Sequence, residues 1–240
     1  MSQPNHGNFP DKGKAVFYRA IELIDTPKKF WPVVRRLYRW SIDAGFDDCL
    51  AHYNYGRILQ HYGQYEEAEE QYRRAIELDP EYTRAHNNLG CILCLLGRYD
   101  EAEIAYRQAL AVKDYFNPHN NLGDLYLRQG KLDLAKEELL LALEFAPNDE
   151  AALSTLAQVL AREGRKDEAE MRFQQAREAA PEDIENLEAY AGFLEEESRK
   201  DEAAAFRREV ARIKEEQSTQ NPVLDEWQQR SREFHKSRRK

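Results

Sequence analysis

The chain has 240 residues, enough for one or two ordinary domains or for a single repeat array, and its net charge of −9 argues against non-specific nucleic-acid binding by the body of the protein. With 42% hydrophobic and 33% charged residues, and only 11 glycines and 9 prolines, the composition is that of a folded, helix-favouring chain. No run of about eighteen apolar residues offers a membrane span. Met1 to Lys14 lacks the apolar stretch of a secretion signal, and Cys49, Cys91 and Cys94 are too few for a disulfide framework, so a cytoplasmic location is expected.

In chain order, residues 1–14 are expected to be a flexible N-terminus and Ala15 to Ile24 a helix. Asp25-Thr26-Pro27 predicts a turn. Pro32 to Ala44 predicts a second helix, closed by Gly45, with Val33, Val34, Leu37, Tyr38 and Trp40 as its apolar set. Residues 15–48 thus form a degenerate helical pair. One reading makes it an N-terminal cap. The other makes it a docking element, because Trp31, Tyr38 and Trp40 with Lys28, Lys29, Arg35, Arg36 and Arg39 form an aromatic-basic surface.

From residue 49 the chain repeats itself. Ala51-His52-Tyr53-Asn54-Tyr55-Gly56 recurs as Ala85-His86-Asn87-Asn88-Leu89-Gly90 and again as Pro118-His119-Asn120-Asn121-Leu122-Gly123, at shifts of 34 and 33 residues. A second phrase, Gly63-Gln64-Tyr65-Glu66-Glu67-Ala68, returns at Gly97, Gly130 and Gly164, and at Ser198 without its glycine. Within the first copy, Tyr55, Ile58, Leu59 and Tyr62 fall on one face of a helix that Gly63 ends. Ala68, Tyr72, Ala75 and Ile76 fall on one face of a second helix, which Pro80 prevents from continuing. Gly56 and Ala68 are small enough to let the two helices approach. Five such copies span 49–82, 83–115, 116–149, 150–183 and 184–217, the last being atypical as a terminal repeat should be. A basic tail, 218–240, follows. It is read as a frayed segment, with packing on the last repeat or binding of a partner as the other readings.

These residues resemble the tetratricopeptide repeat, whose pattern is met by His52, Tyr55, Gly56, Leu59, Ala68, Tyr72 and Pro80 in the first copy and by Leu153, Leu156, Ala157, Leu160, Ala169, Phe173 and Pro181 in the fourth. The resemblance implies an all-α fold, a right-handed α-solenoid of helix-turn-helix tetratricopeptide repeats. It also implies a concave groove, lined by the first helix of each repeat, that holds segments of partner proteins. The repeats look most like those of the O-linked N-acetylglucosamine transferase repeat domain, where asparagines at the sixth position hold a peptide backbone. Asn54, Asn88 and Asn121 occupy that position here. An amide both donates and accepts, so it suits any peptide unit. The same asparagines are also the consensus residue there, and a purely structural role stays open.

Other expected groove residues are Tyr53, Arg57, Gln60, His61, Arg84, Asn87, Cys91, Cys94, Asn117, Asn120, Asp124, Arg128, Ser154, Gln158 and Arg162, giving way to Glu185, Glu188, Glu195 and Glu196. The carboxylate-clamping co-chaperones of this family place lysines, asparagines and an arginine at positions held here by Tyr53, Arg57, Asn88, Asn117 and Asn121. Only Asn88 matches. Cys91 and Cys94 lack the further ligands of a zinc site, and His52, His86 and His119 are expected to fill one recurring packing position. No metal and no cofactor is expected. The chain carries no phosphate-binding glycine loop, nucleophile elbow or HExxH motif, so it is read as no enzyme. The expected function is that of a scaffold, adaptor or chaperone-like assembly factor for another protein, without a membrane partner. A self-associating structural module and a nucleic-acid-associated factor acting through the basic ends are the alternatives. The sequence leaves the oligomeric state open.

Overall fold

The computed structural model describes residues 9–24, 31–113 and 115–220, and among them every regular element is an α-helix. In chain order these are α1 (Phe9–Ile24), α2 (Trp31–Asp43), α3 (Cys49–His61), α4 (Tyr65–Leu78), α5 (Thr83–Leu95), α6 (Tyr99–Val112), α7 (Phe116–Arg128), α8 (Leu132–Phe145), α9 (Glu150–Arg162), α10 (Lys166–Ala179), α11 (Ile184–Glu196) and α12 (Lys200–Gln220). Within the N-terminal unit α3 pairs with α4 and α5 with α6, and within the C-terminal unit α9 pairs with α10 and α11 with α12. The chain divides into two compact units, Met1–Leu125 and Tyr126–Lys240.

In the N-terminal unit, close approach of paired helices sets the fold. Tyr72 and Tyr106 lie flat against the two glycines of α3 and α5. A Cβ on Gly56 would come within 2.8 Å of the Tyr72 ring, and one on Gly90 within 2.5 Å of Tyr106. Ala68, Ala75, Ala102 and Ala109 are likewise sealed from solvent, as are Ile58 and Ile92. Each hairpin turns through a left-handed glycine, Gly63 at φ 71° and Gly97 at φ 76°. The residue after it donates its N–H back five residues, Gln64 to Leu59 at 3.0 Å and Arg98 to Leu93 at 2.8 Å. This bond satisfies a carbonyl that the helix end would otherwise orphan.

The first hairpin corrects one expectation. Residues 9–14 are not a flexible arm, because α1 begins at Phe9; residues 1–8 lie outside the described residues. The reason is Gly13. Its missing side chain brings it against α2 and the turn beyond, where a Cβ would meet Phe46 Cβ and the Ser41 carbonyl at 3.0 Å each. The buried Ser41 hydroxyl donates to the Gly13 carbonyl at 2.7 Å. Phe17, Ala20, Val34 and Tyr38 then bury one apolar seam that continues to Ala51 and Ile58 of α3. The expected turn at Asp25-Thr26-Pro27, with Lys28 and Lys29, lies outside the described residues.

The C-terminal unit uses the same plan with other side chains. Ala157 and Ala191 replace the helix-face glycines, and Leu139, Leu153, Leu160, Phe173 and Leu194 fill the core. Phe173 stacks on Tyr190 at 5.0 Å with the rings 6° apart. Asp149 and Asp183 cap α9 and α11, accepting from Ala152 N at 2.9 Å and Asn186 N at 2.7 Å. The helix α12 runs through Ser218–Gln220, three residues into the expected tail, whose remainder lies outside the described residues. Asn186 stands where the earlier first helices carry Ala51, Ala85 and Ala152. It is 2% exposed, and neither its amide nitrogen nor its oxygen has a hydrogen-bond partner.

Charge clamps recur at the hairpin junctions. Arg98 joins Glu69 of the preceding hairpin at 2.7 Å and Glu101 of its own at 2.6 Å. Arg199 joins Glu170 and Glu202 at 2.7 Å each. Lys136 with Glu163 and Arg165 with Glu168 make the corresponding junction between α8, α9 and α10. Pairs exposed in this way are screened by water and bind the junctions only weakly.

Candidate functional site

In the N-terminal unit, α3, α5 and α7 carry polar and aromatic side chains that bond from helix to helix. A side-chain hydrogen-bond chain crosses all three helices. Asn121 of α7 donates to the Asn87 carbonyl oxygen at 2.9 Å, and Asn87 donates to that of Asn88 at 3.3 Å. Asn88 lies 3.5 Å from both the Tyr53 and the Tyr72 hydroxyl. The Tyr72 hydroxyl donates to Gln60 at 2.8 Å. The amide hydrogens of Asn88 and Asn121 are therefore engaged within the array, and Asn54 is buried at 6% exposure. The exposed row of asparagines expected from the sequence is thus two half-buried residues and a buried one.

Beside this chain lies an aromatic and basic cluster. Tyr53 packs edge-on against Tyr82 at 5.0 Å, and the Arg57 guanidinium sits over the Tyr53 ring at 5.9 Å. Arg84 follows Tyr82 by two residues on the first turn of α5, and Tyr115 immediately precedes α7. Burial pushes the Tyr82 and Tyr115 hydroxyls up to about 12 each, and the nearby Tyr53 adds to this, while Arg84 draws both back. Both hydroxyls therefore remain protonated donors at neutral pH. Tyr72 and Tyr106 are raised as well, chiefly by burial. The sequence reading missed Tyr82 and Tyr115. The signal was their shared place at the close of a repeat, directly before a first helix.

The other expected groove residues divide. Arg57, Arg84, Asn117 and Arg128 are exposed, while Asp124 and Gln158 are half-buried. Arg162 is committed within the C-terminal unit, donating to the Leu127 carbonyl at 2.8 Å. Asn120 has a buried amide oxygen with no partner. Glu188 pairs with Lys214 and Glu195 with Arg207, at 2.7 Å each, so half of the expected acidic run is already neutralised. On α2, Val33 and Trp40 are exposed, whereas Trp31 packs against His61 at 4.7 Å.

Cys49, Cys91 and Cys94 are free thiols. The Cys91 thiol is pushed up to about 11 by burial, which disfavours its reactive thiolate. His52 is held between Gln71 at 2.7 Å and Asp47 at 2.9 Å, and His86 meets the Pro80 carbonyl at 2.9 Å. Among the described residues no three His, Cys, Asp or Glu side chains converge as a metal site would require.

The sequence model of the tetratricopeptide repeat matches residues 47–114 and 114–182. No curated protein is matched by the sequence. Among solved structures, PilF of Pseudomonas aeruginosa is similar over 86% of this chain and 94% of its own, at 20% identity and a TM-score of 0.68. PilW, described as a type IV pilus biogenesis factor, is similar over 88% of this chain and 94% of its own, at 18% identity and a TM-score of 0.68. YrrB, described as a tetratricopeptide repeat protein with an unusual peptide-binding site, is similar over 73% of this chain and 91% of its own, at 22% identity and a TM-score of 0.53. At these identities the likeness concerns the fold.

Proposed function

Because the chain belongs to the tetratricopeptide repeat family, we propose that it works as a scaffold or assembly factor that holds a segment of another protein on the first-helix face of its N-terminal unit. The observation that supports this reading is the amide chain from Asn121 through Asn87 and Asn88 to Tyr53. Pre-positioned amides lower the entropy that a bound peptide backbone must overcome. PilW is described as a biogenesis factor and YrrB as a peptide binder, and a role in assembling other proteins fits the same mould.

The test is a peptide library panned against the full chain, followed by titration of the enriched peptide. Replacing Asn88 and Asn121 together by alanine is expected to weaken that peptide about five- to a hundredfold, at about 0.5–1.5 kcal/mol for each hydrogen bond lost. Unchanged affinity with a lower melting point would show that these asparagines serve the array alone.

A further inference from the structure

Two of the chain's cysteines stand three residues apart on one helix. Cys91 and Cys94 are both half-buried on α5, and neither forms a disulfide. Side chains at this spacing lie next to each other on a helix, with Cβ atoms about 5–6 Å apart. A disulfide calls for Cβ atoms about 3.5–4.5 Å apart, closer than the helix sets them. A metal ion bridging two thiolates, at about 2.3 Å from each sulfur, spans the wider gap.

Each sulfur also meets a polar group from another helix. The Asn121 amide of α7 donates to the Cys91 sulfur at 3.5 Å, and also to Asn87 at 2.9 Å. The Tyr106 hydroxyl of α6 lies 3.6 Å from the Cys94 sulfur, and Tyr106 is 2% exposed. The same hydroxyl reaches the Cys91 sulfur as well, so one buried phenol joins both thiols. Donors aimed at the sulfurs are what a metal-bound thiolate needs, because they fix its orientation and offset its charge. Burial keeps the Cys91 thiol protonated on its own, and a bound metal is what draws such a proton off.

The donor set selects among cations. A structural zinc ion takes four ligands, and among the described residues no third His, Cys, Asp or Glu joins the pair. Magnesium and calcium seek oxygen. Soft thiolates select monovalent copper, a closed-shell ion that two sulfurs in line can satisfy.

We propose that Cys91 and Cys94 form a two-coordinate site for monovalent copper, with Asn121 and Tyr106 as the donors that hold the sulfurs in place. Binding forms two copper–sulfur bonds and breaks two S–H bonds. Both protons leave to solvent and no electron is transferred. The bound pair carries one net negative charge, faced by the amide and phenol hydrogens. This site does not depend on the scaffold reading, although Asn121 belongs to both.

The experiment titrates the full chain, reduced and free of oxygen, with the coloured complex of monovalent copper and bicinchoninate. One copper per chain is expected to pass to the protein, and X-ray absorption should show two sulfur neighbours with no nitrogen or oxygen. Cys91→Ser and Cys94→Ser are each expected to weaken binding about a hundred- to ten-thousandfold, because the helix holds the second thiolate beside the first. Cys49→Ser is expected to bind as the parent does. Asn121→Ala should weaken binding by a smaller factor, and the side-chain amide resonances of Asn121 in the parent should move as copper is added. The absorption spectrum of the parent decides the question even where a serine variant melts early. Full binding by either serine variant on α5, loss of binding in Cys49→Ser, or copper with three or more ligands overturns the site. Dimers formed on adding copper, seen by light scattering, or zinc displacing copper mole for mole, overturn it too. Copper uptake that stands while no peptide binds would sink the scaffold reading and leave this one intact.

Discussion

The two compact units apply one hairpin plan to different ends. In the N-terminal unit, glycines at Gly56 and Gly90 let tyrosine rings lie against helix backbone, and the hydroxyls of those rings emerge on the first-helix face, where Tyr72 meets Gln60 and Asn88. In the C-terminal unit, buried Ala157 and Ala191 stand at those positions. The ring between them, Phe173, has no hydroxyl and stacks on Tyr190. The exchange of tyrosine for phenylalanine and glycine for alanine is small in volume, yet it decides whether the core opens onto a polar surface or ends in an apolar stack. The charged groups follow suit. Arg57 and Arg84 are uncommitted, while Glu188, Glu195 and Arg162 are bonded within their own unit. The same repeat thus differs between the two units in which side chains are bonded to neighbours.

The largest test of this contrast is a pair of glycine substitutions. Gly90→Ala is expected to destabilise by about 2–3 kcal/mol, since the new methyl would come within 2.5 Å of the Tyr106 ring. Gly192→Ala in α11 meets nothing within 4 Å and is expected to stabilise by about 0.5–1 kcal/mol through helix propensity. Urea unfolding of both variants reads the difference. Equal effects would mean that the Tyr106 ring does not bear on the Gly90 position.

Next comes Asn186. Its unpartnered amide occupies a position that alanine fills in α3, α5 and α9. Asn186→Ala is expected to stabilise by about 1–2 kcal/mol, by removing a buried polar group that has no hydrogen bond. A lower denaturation midpoint would show that the amide has a partner after all.

A smaller effect than at Asn186 is expected at Ser198, which adopts the left-handed conformation at φ 64° where Gly63, Gly97, Gly130 and Gly164 stand in the other turns. Ser198→Gly is expected to stabilise by about 1 kcal/mol, the cost of placing a Cβ in that region. The α11–α12 hairpin should gain amide-exchange protection, with no change in the N-terminal unit.

Much of this protein was legible in its sequence. The helix-breaking glycines, the prolines and the alternation of small and large apolar residues recur at a period near 34 residues, so the hairpins and their boundaries follow from local backbone chemistry. The histidines at His52, His86 and His119 were rightly expected as packing residues, for all three are buried. The candidate site was legible only in part. Asn54, Asn88 and Asn121 share a repeat position, yet one is buried and the others are bonded to neighbours, a distinction that periodicity cannot carry.

By itself, then, the sequence determined the repeat, the helices and the turn glycines, because each depends on residues close along the chain. Only the tertiary structure decided that Gly13 anchors α1 on α2 and that Arg57 and Arg84 have no carboxylate partner among the described residues, while Arg162 bonds a carbonyl. It also placed Tyr82 beside Tyr53. Whether a polar side chain is satisfied depends on atoms brought in from other helices, and a side chain left unsatisfied at a surface is what a partner can bind.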